Sequence, residues 1–259
     1  MFLKMTVIQP QSGTALPIAR DDAHQHACWS CGDMRAAHFC DSCGHLQPAT
    51  PTDFFSFFGL PRKMNIDLAG LEREFFALSR KLHPDLYARA ESKEQHWSLE
   101  KSSQLNDAYR TLRDPISRTE YLLKLEGVDL EEQSKSATEK ARQTGETKKQ
   151  VVPPELLEEV FELNMQLEEA RMNKKMGESD EQLASDLRAT KQNLEAKYRG
   201  LDEELRGYWN EWDALVDKHP SGEIPDAERK VVRDKMLGLL NRRSYIRNLV
   251  RDVNEVLGD

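Results

Sequence analysis

The sequence predicts an all-α protein: a small N-terminal zinc-knuckle module, a helical hairpin, and a C-terminal antiparallel three-helix bundle. Three observations support this. Apolar residues recur at helical spacing through every long segment, and short Pro- or Gly-containing breaks separate those segments. All four cysteines lie in two C-x-x-C pairs, Cys28–Cys31 and Cys40–Cys43. Nothing outside those pairs alternates as a strand would.

Composition narrows the class. Of 259 residues, 32% are charged and 7% aromatic, which suits several small helical units better than one deep sheet. The formal net charge of -8 argues against a dominant nucleic-acid role. No apolar run approaches the roughly 20 residues of a membrane span. Residues 1–27 lack the apolar core of a secretory signal and are poor in Arg, so they are expected to be a flexible lead. A soluble, reducing compartment follows as the expectation, and in it paired cysteines act as metal ligands rather than disulfides.

Residues 28–47 form the metal module. Each C-x-x-C is followed by Gly (Gly32, Gly44), which can take the positive φ that wraps backbone amides round a thiolate. Cys28, Cys31, Cys40 and Cys43 supply the four soft ligands of a structural zinc site; iron is the chemical alternative. Four thiolates close the shell, so His24, His26, His38 and His45 are expected to be bystanders. A closed shell also disfavours a zinc hydrolase. So short a module folds only with its metal.

Residues 52–127 form the hairpin unit. Asp53 caps a short helix, Phe54 to Phe58, whose phenylalanines should pack on the hairpin. Asp67 is the expected N-cap of the next helix, with Leu68, Leu71, Phe75, Leu78 and Leu82 on its apolar side. Pro84 disfavours α conformation at His83, so this helix should end there. A helix from Glu91 to Arg113 returns, with Trp97, Leu105, Ala108, Tyr109 and Leu112 inward. Asp114-Pro115 stops it, and Ile116 to Leu125 follows. The tripeptide His83-Pro84-Asp85 therefore sits at the tip of an antiparallel hairpin.

Residues 128–152 are rich in Glu, Lys, Gln, Ser and Thr and read as a linker. Residues 153–259 form the bundle. Pro153-Pro154 should open its first helix, which carries Leu156, Leu157, Val160, Phe161, Leu163, Met165 and Leu167. That is broader than one stripe: either the helix is packed on two sides or part of it stays exposed for a partner. Leu187, Leu194, Leu201, Tyr208 and Leu215 repeat every seven residues in a helix from about Ser179 to Lys218. His219-Pro220-Ser221-Gly222 breaks it. Val232, Met236, Leu239, Ile246, Val250, Val253 and Leu257 mark a last helix, Asp226 to Leu257.

The flanks of the tripeptide resemble a J-domain, and more narrowly the HscB family of iron–sulfur cluster co-chaperones. The resemblance is carried by Asp53-Phe54-Phe55-Ser56-Phe57-Phe58-Gly59-Leu60-Pro61, His83-Pro84-Asp85-Leu86-Tyr87, Leu105-Asn106-Asp107-Ala108-Tyr109 through Asp114-Pro115, and Arg118-Thr119-Glu120-Tyr121-Leu122-Leu123. Family members with an N-terminal tetracysteine module occur.

The resemblance implies a co-chaperone with no catalytic residues of its own. It would stimulate the ATPase of a DnaK/HscA-type chaperone through His83, Pro84 and Asp85, with Arg73, Arg80 and Lys81 meeting an acidic surface. It would deliver an IscU-like scaffold protein through Leu157, Phe161, Glu162 and Tyr245. It also implies a cytoplasmic location, or the mitochondrial matrix in a eukaryote, with neither nucleic acid nor membrane as partner. The alternatives weighed are a general J-protein for unfolded clients and a zinc-ribbon nucleic-acid binder, the latter disfavoured by the acidic balance. The 128–152 linker and an insertion over residues 199–225 depart from shorter members.

Overall fold

The computed structural model describes residues 27–33, 38–128, 156–178, 180–220 and 222–258. Seven α-helices make up most of this: α1 (Phe54–Phe57), α2 (Leu68–Leu82), α3 (Ser92–Arg113), α4 (Pro115–Leu125), α5 (Leu157–Met176), α6 (Glu181–Lys218) and α7 (Asp226–Leu257). A 3-10 turn, Pro84–Tyr87, follows α2. Among the described residues the only β feature is an isolated bridge between Phe39 and Leu46. The expected lead, the linker and the Pro153-Pro154 helix start lie outside the described residues, apart from Ala27 and Val128.

The chain divides into two compact units. In the first, Asp53 caps α1 by accepting from the Phe55 and Ser56 N–H groups and also pairs with buried Arg62 at 2.8 Å. One carboxylate thus fixes both the start of α1 and the chain that leaves it. The phenylalanines pack as their apolarity requires. Phe55 is fully buried with Leu71 and Leu112, Phe57 lies with Leu78, Leu82 and Leu105, and Phe54 stacks on Tyr121 at 4.4 Å. Phe75 stacks on Tyr109 at 4.1 Å, joining α2 to α3. Asp114 caps α4 through Ser117 N–H.

Two details differ from expectation. Asp67 occupies the cap position of α2 but makes no capping bond; its carboxylate turns instead to Arg73. Leu68 is 46% exposed: although Leu71, three residues on, is buried with Phe55 and Leu112, the first residue of α2 lies outside that cluster.

The second unit holds α5–α7 together with Lys63–Asn65. Ion pairs Lys218–Glu228, Lys235–Glu211 and Arg242–Glu204 advance along α7 as they retreat along α6, so these helices run antiparallel. Leu187, Leu194, Leu201, Leu205 and Trp212 form the seam of α6, and Val232, Met236, Leu239, Ile246 and Val253 that of α7. Asp180, one residue beyond the expected start, caps α6 through Leu183 N–H. The buried Asp213 carboxylate accepts from the backbone N–H groups of Met64 and Asn65, at 2.6 and 2.9 Å. No described helix is long and apolar enough to cross a membrane.

Candidate functional site

Three sites merit description: the hairpin tip, the tetracysteine cluster and the outer face of α5. At the tip, α2 ends where Pro84 requires. His83 adopts φ -59° and ψ 127°, out of the helical region, and its ring Nδ1 accepts from Asp85 N–H at 3.3 Å. The imidazole and the Asp85 carboxylate lie 3.6 Å apart and face solvent, at 56% and 89% exposure. The tip is held from below. Ser98 and Ser102 on α3 both donate to the Leu82 carbonyl, at 2.6 and 2.9 Å, and Tyr87 Oη donates to Lys81 O. Among the described residues nothing encloses His83; it borders only a shallow, open cleft. It is presented as a contact.

Arg73, Arg80 and Lys81 are all exposed. At about 100° per residue, Arg73 and Arg80 share a face of α2 with His83, whereas Lys81 points to the opposite flank. Sequence reasoning missed three exposed apolar groups in this unit: Phe76, 52% exposed on the same face between Arg80 and His83; Leu86 in the tip, 65%; and Leu99 on α3, 61%. Leu99, His83 and Pro84 line a shallow cleft of about 400 Å³ with Ser79, Ser102, Ser103 and Asn106. The signal for Phe76 was in the sequence: core positions of α2 call for Phe75, and a second Phe at the next position falls about 100° away.

The four cysteine sulfurs lie within 4.8 Å of one another, with Cys28–Cys43 at 3.6 Å and Cys31–Cys40 at 3.5 Å. A tetrahedral ion with bonds of about 2.3 Å would place its sulfurs roughly 3.8 Å apart, so the geometry fits a thiophilic metal ion. Gly32 and Gly44 take φ of 77° and 75°, and their N–H groups turn back to the Cys28 and Cys40 carbonyls. Burial pushes the Cys28 thiol up, but backbone N–H bonds from Cys31 and Ser30 and the Cys43 and Cys40 thiols outweigh it, bringing it down to about 6. Cys31 receives a backbone N–H from Asp33, yet its contact with the Cys40 sulfur drives it to about 12. One thiolate forms easily and opposes the next. A cation relieves that opposition, which is what a metal site of this kind needs.

On α5, Val160, Leu163 and Leu167, with Leu156 just before the helix, face the bundle core, while Leu157, Phe161, Met165, Met172 and Met176 are 55–70% exposed on the opposite side. The breadth of the apolar surface thus resolves into two opposed stripes, one of them open to solvent, with Glu162 exposed beside it. Tyr245 departs from its expected place. It is buried at 9% exposure, and burial raises its phenol. Because α7 packs against both α6 and α5, residues beside the seam are covered too. Tyr245, expected with Leu157, Phe161 and Glu162 on one partner-facing patch, is therefore buried rather than open to solvent.

No family model matches the chain. It is 37% identical over 144 residues to an iron–sulfur cluster co-chaperone protein HscB homolog from Arabidopsis thaliana, covering 55% of this chain and 51% of that protein. It is 32% identical over 173 residues to iron–sulfur cluster co-chaperone protein HscB from Homo sapiens, covering 62% and 68%. It is 33% identical over 142 residues to a co-chaperone protein HscB homolog from Bordetella avium, covering 53% and 76%. The crystal structure of human co-chaperone protein HscB superimposes with a TM-score of 0.53 at 25% identity, covering 86% of this chain and 98% of that one. The chain spans about half the length of the Arabidopsis and mouse relatives it matches, 51% and 47%.

Proposed function

Since the chain belongs to the HscB family of iron–sulfur cluster co-chaperones, we propose that it stimulates ATP hydrolysis by a DnaK/HscA-type chaperone and delivers an IscU-like scaffold protein to it. In this reading residues 28–47 are a zinc module, 52–127 the J-domain, and 153–259 the scaffold carrier. The observation that carries the proposal is the solvent-facing His83-Pro84-Asp85 tip on a hairpin of fixed length.

The mechanism needs no chemistry on this chain. His83 and Asp85 offer a donor and an acceptor that a partner can contact in one of its conformations and not the other. Such differential binding shifts the partner's equilibrium. Arg73 and Arg80 orient the encounter with an acidic surface, and Phe76 on the same face supplies apolar contact. Lys81 contributes at most to long-range attraction, since it lies on the other flank. The exposed apolar stripe of α5, led by Leu157 and Phe161 and edged by Glu162, is the surface on which the scaffold docks. Tyr245 would have to leave its buried place to join it.

For the tetracysteine cluster the proposal is zinc, held by Cys28, Cys31, Cys40 and Cys43 in a structural role, because four thiolates leave no open coordination position. Iron would satisfy the same ligands, and elemental analysis of the purified chain distinguishes the two.

The test is a single-turnover ATPase assay with a purified DnaK-type chaperone. The wild-type chain accelerates hydrolysis, and His83→Gln does not, while its far-UV circular dichroism is unchanged. Equal acceleration by both, or none by either, overturns the proposal.

A further inference from the structure

We propose that the tetracysteine module is a metal-dependent clamp on the α2–α3 hairpin, so that metal occupancy sets how firmly the His83-Pro84-Asp85 tip is held. The inference stands on contacts inside the first unit and does not depend on which chaperone or scaffold the chain meets.

The module's contacts with the hairpin come from residues next to its ligands. Trp29, between Cys28 and Cys31, meets Trp97 of α3 edge-on at 5.7 Å, lies under the Lys93 ammonium at 3.5 Å, and donates to Leu46 O at 2.7 Å. His45, two residues after Cys43, bonds Glu94 at 3.1 Å. His38, two residues before Cys40, reaches Phe57 O at 2.9 Å and Lys101 Nζ at 3.3 Å. Leu46 is 1% exposed and belongs to the same core cluster as Phe57, Leu78, Leu82, Leu105 and Ala108. Gln47, also buried, donates to the Cys28 sulfur.

Two features make this a functional coupling rather than incidental contact. Glu94 and Lys101 are buried charged residues on α3, and both find hydrogen-bond partners on the module. Without it, both would be uncovered or left buried without those partners, and the second state is costly. Moreover, Leu82 lies in the cluster that Leu46 completes and is the residue immediately before His83. A segment of about twenty residues cannot hold this arrangement alone; the metal does so. Loss of the metal frees Trp29, His38, His45 and Leu46 together, and the N-terminal half of α3 loses its cover.

The coupling is tested on the full-length chain by amide hydrogen exchange. Stripping the metal with a strong chelator is expected to speed exchange of residues 92–105 at least tenfold, while α6 and α7 stay within about twofold; added zinc restores protection. Linkage requires the reverse effect as well. Glu94→Ala, which leaves the module's sequence intact, is expected to lose metal to a competing chelator several-fold more readily. Unchanged exchange in α3 after stripping overturns the proposal, as does unchanged metal retention in Glu94→Ala.

Discussion

The Ser98 hydroxyl, fully buried, donates to the carbonyl of Leu82 at 2.6 Å, and so binds the last turn of α2 to α3. That carbonyl needs an external partner because the chain turns at His83-Pro84 and the helical ladder ends. Ser102 supplies a second donor at 2.9 Å. Replacing both serines with alanine leaves a buried acceptor unpaired and should cost about 1–3 kcal/mol. Urea denaturation will register the loss, and partner stimulation should fall in step with exposure of the tip.

Phe76 stands on the α2 face that carries Arg73, Arg80 and His83. Being half exposed, it contributes little to the fold, so Phe76→Ser should leave the denaturation midpoint nearly unchanged. Its removal from a docking surface would cost about 1–2 kcal/mol of affinity, roughly a tenfold rise in Kd. Surface-immobilised chaperone with the wild-type chain and with Phe76→Ser gives that number directly.

Lys101 makes the first unit sensitive to alkaline pH. Burial brings its ammonium down to about 8. In the unfolded chain the same group titrates near 10.4. Between those values the unfolded state binds more protons than the folded one, so stability rises as pH rises. Below about pH 8 the folded state bears the full cost of a buried charge, of the order of a few kcal/mol. Denaturation midpoints should therefore increase between about pH 8 and 10. Lys101→Met should flatten that slope and raise stability at neutral pH.

Metal removal gives a further prediction about reactivity. Cys31 and Cys43 are exposed, and Cys28 and Cys40 are buried. A thiol-alkylating reagent should leave the metal-loaded chain nearly unmodified, since ligated thiolates are poor nucleophiles. After chelation it should modify all four cysteines as the knuckles open. Intact-mass spectrometry counts the adducts.

Much of the fold was legible because its punctuation is local. Pro84, Asp114-Pro115 and His219-Pro220 each stop a helix by removing the conformations that would continue it, and α7 spans Asp226–Leu257 as its periodicity predicts. The His-Pro-Asp tip and the cysteine cluster were legible for the same reason. What could not be read is what depends on long-range packing. Leu46 joins the hairpin core, and Glu94 and Lys101 are buried beneath the module, through contacts 49 and 63 residues apart in sequence. Tyr245 is covered because α7 has two neighbours, and Leu68 stays open although Leu71, three residues on, is buried against Phe55 and Leu112. Asp67 resembles a cap in sequence, but its side chain turns to Arg73.

The most direct test of the account is chaperone ATPase turnover measured with the chain and an IscU-like scaffold together. The two together should accelerate hydrolysis well beyond the chain alone. Leu157→Ala/Phe161→Ala should lose the scaffold-dependent increment but keep the rest, and His83→Gln should lose both. A scaffold increment that survives in the Leu157/Phe161 variant, or stimulation that survives His83→Gln, would contradict it.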